Sequence, residues 1–452
     1  ILSIVLWVGA DVIATTFFNM KEAAWPMRAL VPAIFIVAIM AVMRGYFQGM
    51  NSMTPTAISQ VVEQFVHAIV SVGLAYLLIS TSLEAAVVGA SFGTSVGALF
   101  ALGVLVLVYY MMRPSIKKRL RKSKTTTDES SGEILKKILV MSIPIMISSS
   151  IFSIMGMIDY TMIYQILPNT IEKISQMGLL DTLPISDPSV LLDQASIVNS
   201  LGGQFSTKYT SLLNLPVSLI LTLGMAVIPA ISASMARQDF KDVRRKTKMV
   251  LKIGMLFAAP ATIGLMIFGK QIVGMLYASA PDGGELLTYG AISVIFITIA
   301  QLTTGVLQGM GKQGVPTAHA AIACGVKVIF NIILLSMPSM HIYGVVHSTT
   351  ICYFIYAALN VIYLMRTMHI HLNVKQIIIK PVLVAVVMGV VSYLLYALLY
   401  KFIGHASVCL LIVIPIAAGV YGVLGLLTHT ITIKDLEHIP GGRKIIGLLS
   451  RY

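Results

Sequence analysis

The chain has 452 residues, of which 57% are hydrophobic and 11% charged, with 32 Lys and Arg against 18 Asp and Glu for a formal charge of +14. A water-soluble domain carries about 25% charged residues, so this composition excludes both a soluble globular protein and a disordered one. The basic excess lies between apolar stretches, so it reports membrane topology rather than a nucleic-acid partner.

Twelve apolar stretches read as helices crossing roughly 30 Å of hydrocarbon. In chain order they are predicted at about 1–16, 29–48, 56–79, 85–112, 135–165, 206–235, 250–269, 287–308, 316–337, 343–365, 377–400 and 406–428. The fold class is therefore an all-α polytopic membrane protein. The first span carries Asp11. The second ends in Arg44-Gly-Tyr-Phe-Gln48-Gly49-Met50. The third opens at Pro55, a residue suited to a helix start, and carries Glu63, Gln64 and His67. The fourth has Gly89, Gly93 and Gly97 at four-residue spacing, a stripe for close helix packing. A basic linker follows, with Arg113, Lys117, Lys118, Arg119, Arg121, Lys122 and Lys124.

The fifth span holds Asp159 beside Tyr160 and Tyr164, and leads to a loop at 166–205 with Glu172, Asp181, Asp187 and Asp193. Lys208 lies near the outer end of the sixth span. The next loop is basic again, with Arg237, Lys241, Arg244, Arg245, Lys246 and Lys248. The eighth span ends in Gln308-Gly309-Met310, and the ninth opens at Pro316 and carries Lys327 and Asn331. The tail adds Lys434, Arg443, Lys444 and Arg451. Simple alternation of twelve spans puts every strongly basic segment on one side, which the distribution of Lys and Arg makes cytoplasmic.

Gln-Gly-Met recurs at an offset of 260 residues (48–50 and 308–310) and Pro-Thr-Ala at 261 (55–57 and 316–318). Six identities at equivalent turns indicate an internal duplication. The repeats are parallel, which predicts two lobes around a central cavity. Three spans precede the second copy within its lobe and one precedes the first, so two further helices are expected ahead of Ile1. The complete protein would then have about fourteen spans, twelve of them present here. The expected organisation is 1–112 as a first lobe of four helices, 113–134 as a basic cytoplasmic linker and 135–368 as a second lobe of six. The last two helices and a cytoplasmic tail would occupy 369–452.

An ionisable group within a span costs on the order of 3 kcal/mol on insertion scales and usually faces a cavity or a partner. The candidates are Asp11, Glu63, Asp159, Lys208 and Lys327, with His67, Gln64 and Asn331 near them. Glu63 and His67 share a helix face at i, i+4. Glu63 corresponds to Cys324 in the repeat, one turn from Lys327. Glu63 and Lys327 therefore fit either a substrate or coupling site facing a shared interior, or an interlobe ion pair. Asp159 fits a proton or cation site or a hydrogen-bonded helix contact. Lys208 fits a cargo cation or a side chain snorkelling to the interface, and Arg44 suits a helix C-terminus at anionic headgroups.

No phosphate loop, zinc-protease or nucleophile-elbow signature is present. No catalytic residue, metal site or cofactor is expected, and ATP hydrolysis by this chain is not indicated. Cys324, Cys352 and Cys409 lie inside apolar stretches, where cysteine packs as a small apolar residue.

Arg44-Gly-Tyr-Phe-Gln-Gly-Met50 with Pro55-Thr-Ala-Ile-Ser-Gln-Val-Val-Glu-Gln64 resembles a helix turn of the polysaccharide-biosynthesis and lipid II flippase proteins. Leu215-Pro-Val-Ser with Leu223-Gly-Met-Ala-Val-Ile-Pro-Ala-Ile-Ser232, and Gly305-Val-Leu-Gln-Gly-Met-Gly-Lys-Gln-Gly-Val-Pro316, resemble two more segments of the same family. That family lies in the multidrug/oligosaccharidyl-lipid/polysaccharide exporter superfamily, and the wording is nearest its Gram-positive branch of MurJ-like and stage V sporulation protein B-like members. The resemblance implies two six-helix bundles plus two C-terminal helices in a bacterial cell membrane. It also implies alternating access that moves an undecaprenyl-diphosphate-linked precursor, lipid II first among them, to the outer leaflet. The implied partners are that lipid, the bilayer and the cell-wall synthesis machinery. Lys208 and Lys327 are the cations that would meet the diphosphate. In the Gram-negative branch an Arg stands five residues before the eighth-helix proline, where this chain has Ser211. A cation-coupled exporter of the same superfamily and a membrane glycosyl- or acyltransferase are the alternatives.

Overall fold

A computed structural model describes residues 2–18, 21–50, 52, 54–122, 130–370 and 372–432. Asn51, Lys124, His371 and the basic tail residues lie outside the described residues. The described chain is helical and divides into two units, 1–130 and 131–452.

The first unit holds α1 (Leu2–Phe18), a short α2 (Ala24–Ala29), α3 (Val31–Gly49), α4 (Thr54–Leu78) and α5 (Leu83–Lys122). Its strongest packing is α4 on α5, and the glycine stripe causes it. A Cβ on Gly97 would lie 2.8 Å from the Glu63 carbonyl oxygen, and one on Gly93 would strike Ser71. Only glycine lets the two backbones approach this closely. The Ser71 hydroxyl donates to the Ala90 carbonyl across the seam at 2.7 Å. α5 runs 40 residues, through Pro114 and past the expected end of its span at 112. The start of the basic linker is thus a helical extension with Arg113, Lys117 and Lys118 exposed.

The second unit contains α6 (Ser131–Gln176), α7 (Gln194–Gly203), α8 (Ser211–Ala236), α9 (Phe240–Leu276), α10 (Gly284–Gly290), α11 (Ser293–Gly309), α12 (Gly314–Leu335), α13 (Tyr343–Met368), α14 (Lys380–Ile403) and α15 (Ala406–Leu427). Every one of the twelve predicted spans falls on a helix. Most ends agree within a few residues, and the large differences, at α5, α6 and α9, are extensions. α6 has 46 residues, about 69 Å at 1.5 Å per residue, so it passes well beyond the hydrocarbon. Buried Ile163, Leu167, Thr170, Ile171 and Ile174 continue its inward stripe into what hydropathy presents as a loop. The expected loop 166–205 accordingly shrinks to 177–193. The carboxylate of Asp193 caps α7, accepting from the Ser196 amide at 3.0 Å. Asp239 does the same for α9 at the Asp242 amide, 2.9 Å.

Two irregularities shape the interior. Residues Gln204–Thr210 form a wide π-helical turn between α7 and α8, a feature frequent at functional sites. The eighth predicted span is bent by 53° between α10 and α11. Gly290 at that bend lies against the Tyr209 ring, which a Cβ would strike.

The duplication appears in the packing of each unit. α3 and α4 both pack on α5, as α11 and α12 both pack on α13, while α3 and α4, like α11 and α12, barely touch each other. α14 and α15 pack on each other and on α9.

His341, in the turn between α12 and α13, is 4% exposed and has a left-handed backbone at φ 32°. Burial pushes its imidazole down to about 4. The folded state therefore keeps it neutral while the unfolded chain protonates near 6.5. Its contribution to stability is intact above pH 6.5 and lost as pH falls towards 4. Melting temperatures between pH 7 and 4 should fall less steeply for His341→Asn, whose side chain tolerates that backbone.

Candidate functional site

The second unit contains a buried charge cluster made by three helices. Lys327 and Asn331 are one turn apart on α12, so both reach the same point on α6. There the Lys327 ammonium lies 2.6 Å from Asp159 Oδ2, and the Asn331 amide donates to Asp159 Oδ1 at 2.9 Å. From α13, the Ser348 hydroxyl donates to the Asn331 carbonyl oxygen. Asp159, Lys327 and Asn331 are all under 5% exposed. A lone charge at this depth is costly; here both carboxylate oxygens are bonded and the pair is neutral overall.

Asp159 and Lys327 form part of the wall of a cavity of about 480 Å³. The same cavity is lined by Thr210 and Asn214 on the α8 side, and by Gln301, Thr304 and Gln308 on α11. The α11 residues follow i, i+3, i+7 spacing, one helix face. Gly305 on the same face lets α11 approach Gly224 of α8 closely, since its Cβ would lie 2.5 Å from the Gly224 carbonyl oxygen. The Thr349 hydroxyl lines the cavity and has no hydrogen-bond partner among the described residues. Amides, hydroxyls and one ammonium are a donor set suited to sugar hydroxyls and phosphate oxygens. Among the described residues no three His, Cys, Asp or Glu side chains could hold a metal ion together.

Beneath the cavity a second network joins three helices. Thr304 bonds the Tyr356 hydroxyl at 2.7 Å and accepts from Asn360 at 3.2 Å. The Asn360 carbonyl oxygen meets His319 Nδ1 at 2.8 Å.

The structure distributes the other predicted residues differently. Glu63 pairs with Arg44 at 2.7 Å, and Arg44 also donates to Ser59 at 3.0 Å. Arg44 thereby ties α3 to α4 instead of pointing to headgroups. His67, on the same helix, faces Thr94 of α5 at 3.3 Å. Glu63 and Lys327 each find a partner within their own unit. Lys208, on the π turn, is buried and donates to the carbonyls of Ala280 and Asp282, both at 2.6 Å. It lies 5.7 Å over the Tyr277 ring and is not among the cavity residues, although Phe205 and Tyr209 on the same turn are. The repeat motifs also diverge: Gln308 lines the cavity while Gln48 is exposed. A Cβ on Gly309 would meet the Ile228 carbonyl of α8, whereas one on Gly49 would meet nothing within 4 Å among the described residues. Pro55 and Pro316 are buried at the starts of α4 and α12.

A family model described as polysaccharide biosynthesis protein matches residues 1–235, and one described as lipid II flippase MurJ matches residues 194–414. The chain is 25% identical over 460 residues to the uncharacterized membrane protein YabM of Bacillus subtilis strain 168, covering all of this chain and 80% of the relative. It is 25% identical over 417 residues to lipid II flippase MurJ of the same organism, covering 89% and 72% respectively. A solved structure of lipid II flippase MurJ in an inward closed conformation matches with a TM-score of 0.62 at 16% identity, over 95% of this chain and 80% of the other. The resemblance read from the helix-turn motifs is borne out, and the fold is that of a multi-pass all-α membrane transporter.

Proposed function

The chain belongs to the polysaccharide biosynthesis protein family, and from that premise we propose that it flips an undecaprenyl-diphosphate-linked glycan precursor, foremost lipid II, from the inner to the outer leaflet of a bacterial cell membrane. The orientation that goes with this reading puts the basic segments and the C-terminus in the cytoplasm.

The observation that carries the reading is the cavity beside the buried Asp159–Lys327 pair, whose largely apolar wall carries a set of amides and hydroxyls, inside helices with many exposed apolar side chains. A diphosphate-sugar headgroup cannot enter hydrocarbon without losing its hydration, whereas its polyprenyl tail is at home there. Within this cavity of about 480 Å³, Asn214, Gln301, Gln308, Thr304 and Lys327 offer the headgroup donors in place of water. Lys327 supplies positive charge at the wall, and Asp159 holds that charge in place when no anion is near. An arriving diphosphate competes with Asp159 for the ammonium, so cargo can alter the link between α6 and α12. Such a cycle needs no nucleotide: a membrane potential acts with about 2.3 kcal/mol per elementary charge per 100 mV. The relatives and solved structures named for an activity are lipid II flippases and multidrug resistance transporters of the MATE family, which supports transport over transferase chemistry.

The test expresses this gene in bacteria depleted of their own lipid II flippase and follows growth and lipid II in the outer leaflet. Rescue with outer-leaflet lipid II is the expected result. Lack of rescue by protein shown to be in the membrane would remove lipid II as the cargo.

A further inference from the structure

A second polar site lies at the other end of the unit-2 helices, formed by the starts of α10 and α13. Glu285 in the first turn of α10 is held from both sides: Lys270 of α9 contacts Oε1 at 2.6 Å and the Tyr343 hydroxyl donates to Oε2 at 2.5 Å. The carboxylate is thus fixed in orientation. Its side chain is still 39% exposed, and each oxygen has a lone pair left to accept a further hydrogen bond.

Around it stand three aromatic rings. Tyr289 and Tyr343 meet edge to face at 5.4 Å between centroids, and Tyr289 and His347 lie 6.3 Å apart. Tyr289 is 53% exposed. With Ser339, Met340 and Glu285 these rings line a cavity of about 260 Å³. Glu285 also borders a neighbouring cleft of about 460 Å³ between residues 182–186 and 281–284. The carboxylate is therefore shared by both cavities.

A tyrosine that only anchors a helix at the membrane interface needs headgroups and nothing else. Here a ring exposed over half its surface flanks a fixed carboxylate inside a concave site. That is the chemistry of carbohydrate recognition: the C–H face of a pyranose packs on an aromatic ring, and its hydroxyls donate to a carboxylate whose direction is already set.

We propose that the Tyr289–Tyr343–His347–Glu285 ledge is a glycan subsite that takes one pyranose ring, stacked on Tyr289 with its hydroxyls on Glu285. With the basic segments inward, the ledge faces outward. It would hold a sugar of the headgroup as it leaves the membrane, a role that rests on the flippase reading above.

The ligand itself can be tested apart from transport. Saturation-transfer NMR would be recorded with N-acetylglucosamine at millimolar concentration on the purified full chain in nanodiscs. Ring-proton signals are expected from the wild type, with binding about tenfold weaker in Tyr289→Ala, the ratio that loss of one aromatic stack gives. Tyr289→Phe should keep the signals, and Glu285→Gln should weaken them while the protein melts as before. Absence of signal in the wild type, or equal signal in Tyr289→Ala, overturns the subsite. Rescue of flippase-depleted cells together with no sugar binding removes the ledge and leaves the cargo reading intact. Binding without rescue does the opposite.

Discussion

Asp159→Ala, with Lys327 left in place, is expected to destabilise the second unit by about 3–5 kcal/mol, the usual cost of stranding one member of a buried ion pair. Lys327 is 3% exposed and its ammonium has the Asp159 carboxylate as its 2.6 Å partner; Asn331 would also lose the acceptor of its amide. Removing the ammonium instead, by Lys327→Met, strands the carboxylate and should cost a similar amount. The double variant Asp159→Asn with Lys327→Met removes both charges and leaves Asn331 a partner. Apolar or neutral replacements of whole buried pairs are often tolerated or even stabilising, so this variant should melt near the wild type. Its transport, measured in the depleted cells, should be lost, because the cavity has lost its cation. Recovery of both stability and transport in the double variant would reduce the pair to a structural tie between α6 and α12.

The spans were legible because hydrocarbon imposes one requirement, a long apolar helix, and composition reports it directly. Helix extents were not. Beyond the bilayer a helix continues for reasons of packing and capping, so hydropathy ends α6 near 165 while its inward stripe runs on to Ile174 and the helix to Gln176. The charged candidates were legible as a set, since any ionisable group within a span stands out. Their partners were not, because the pairs join distant residues. Asp159 and Lys327 are 168 positions apart, and nothing local tells Glu63 that its neighbour is Arg44 rather than a lysine in the other repeat. The cavity face of α11 was missed, although Gln301, Thr304 and Gln308 at helical spacing are the signal that could have found it. The repeat motif obscured it, because Gln308 reads first as half of Gln-Gly-Met. Duplication preserves the helix pairings more faithfully than the roles of single side chains. Gln48 and Gln308, in the same motif, ended up respectively on an exposed face and in a cavity wall.

Lys208→Met should separate two roles that one cation could play. Met keeps the alkyl packing of lysine and removes the charge. In the structure the ammonium bridges the carbonyls of Ala280 and Asp282, each at 2.6 Å. The same segment is tied down twice more: the Tyr277 hydroxyl donates to the Thr207 carbonyl at 3.3 Å, and Asp282 accepts from the Ser186 amide at 3.0 Å. The lysine thus pins the 277–282 turn to the π segment, and hydrogen bonds to a charged group contribute roughly 1.5–3 kcal/mol. Lys208→Met is therefore expected to lower the melting temperature clearly, with both carbonyls left unpaired. Transport assayed well below that temperature should persist, and Lys208→Arg should recover most of the stability. The cargo role predicts the reverse pattern: unchanged melting, with transport abolished by Met and restored by Arg. Stability and transport measured on the same two variants decide between them, because a clamp acts on the folded state whether or not cargo is present, and a cargo ligand acts only when it is.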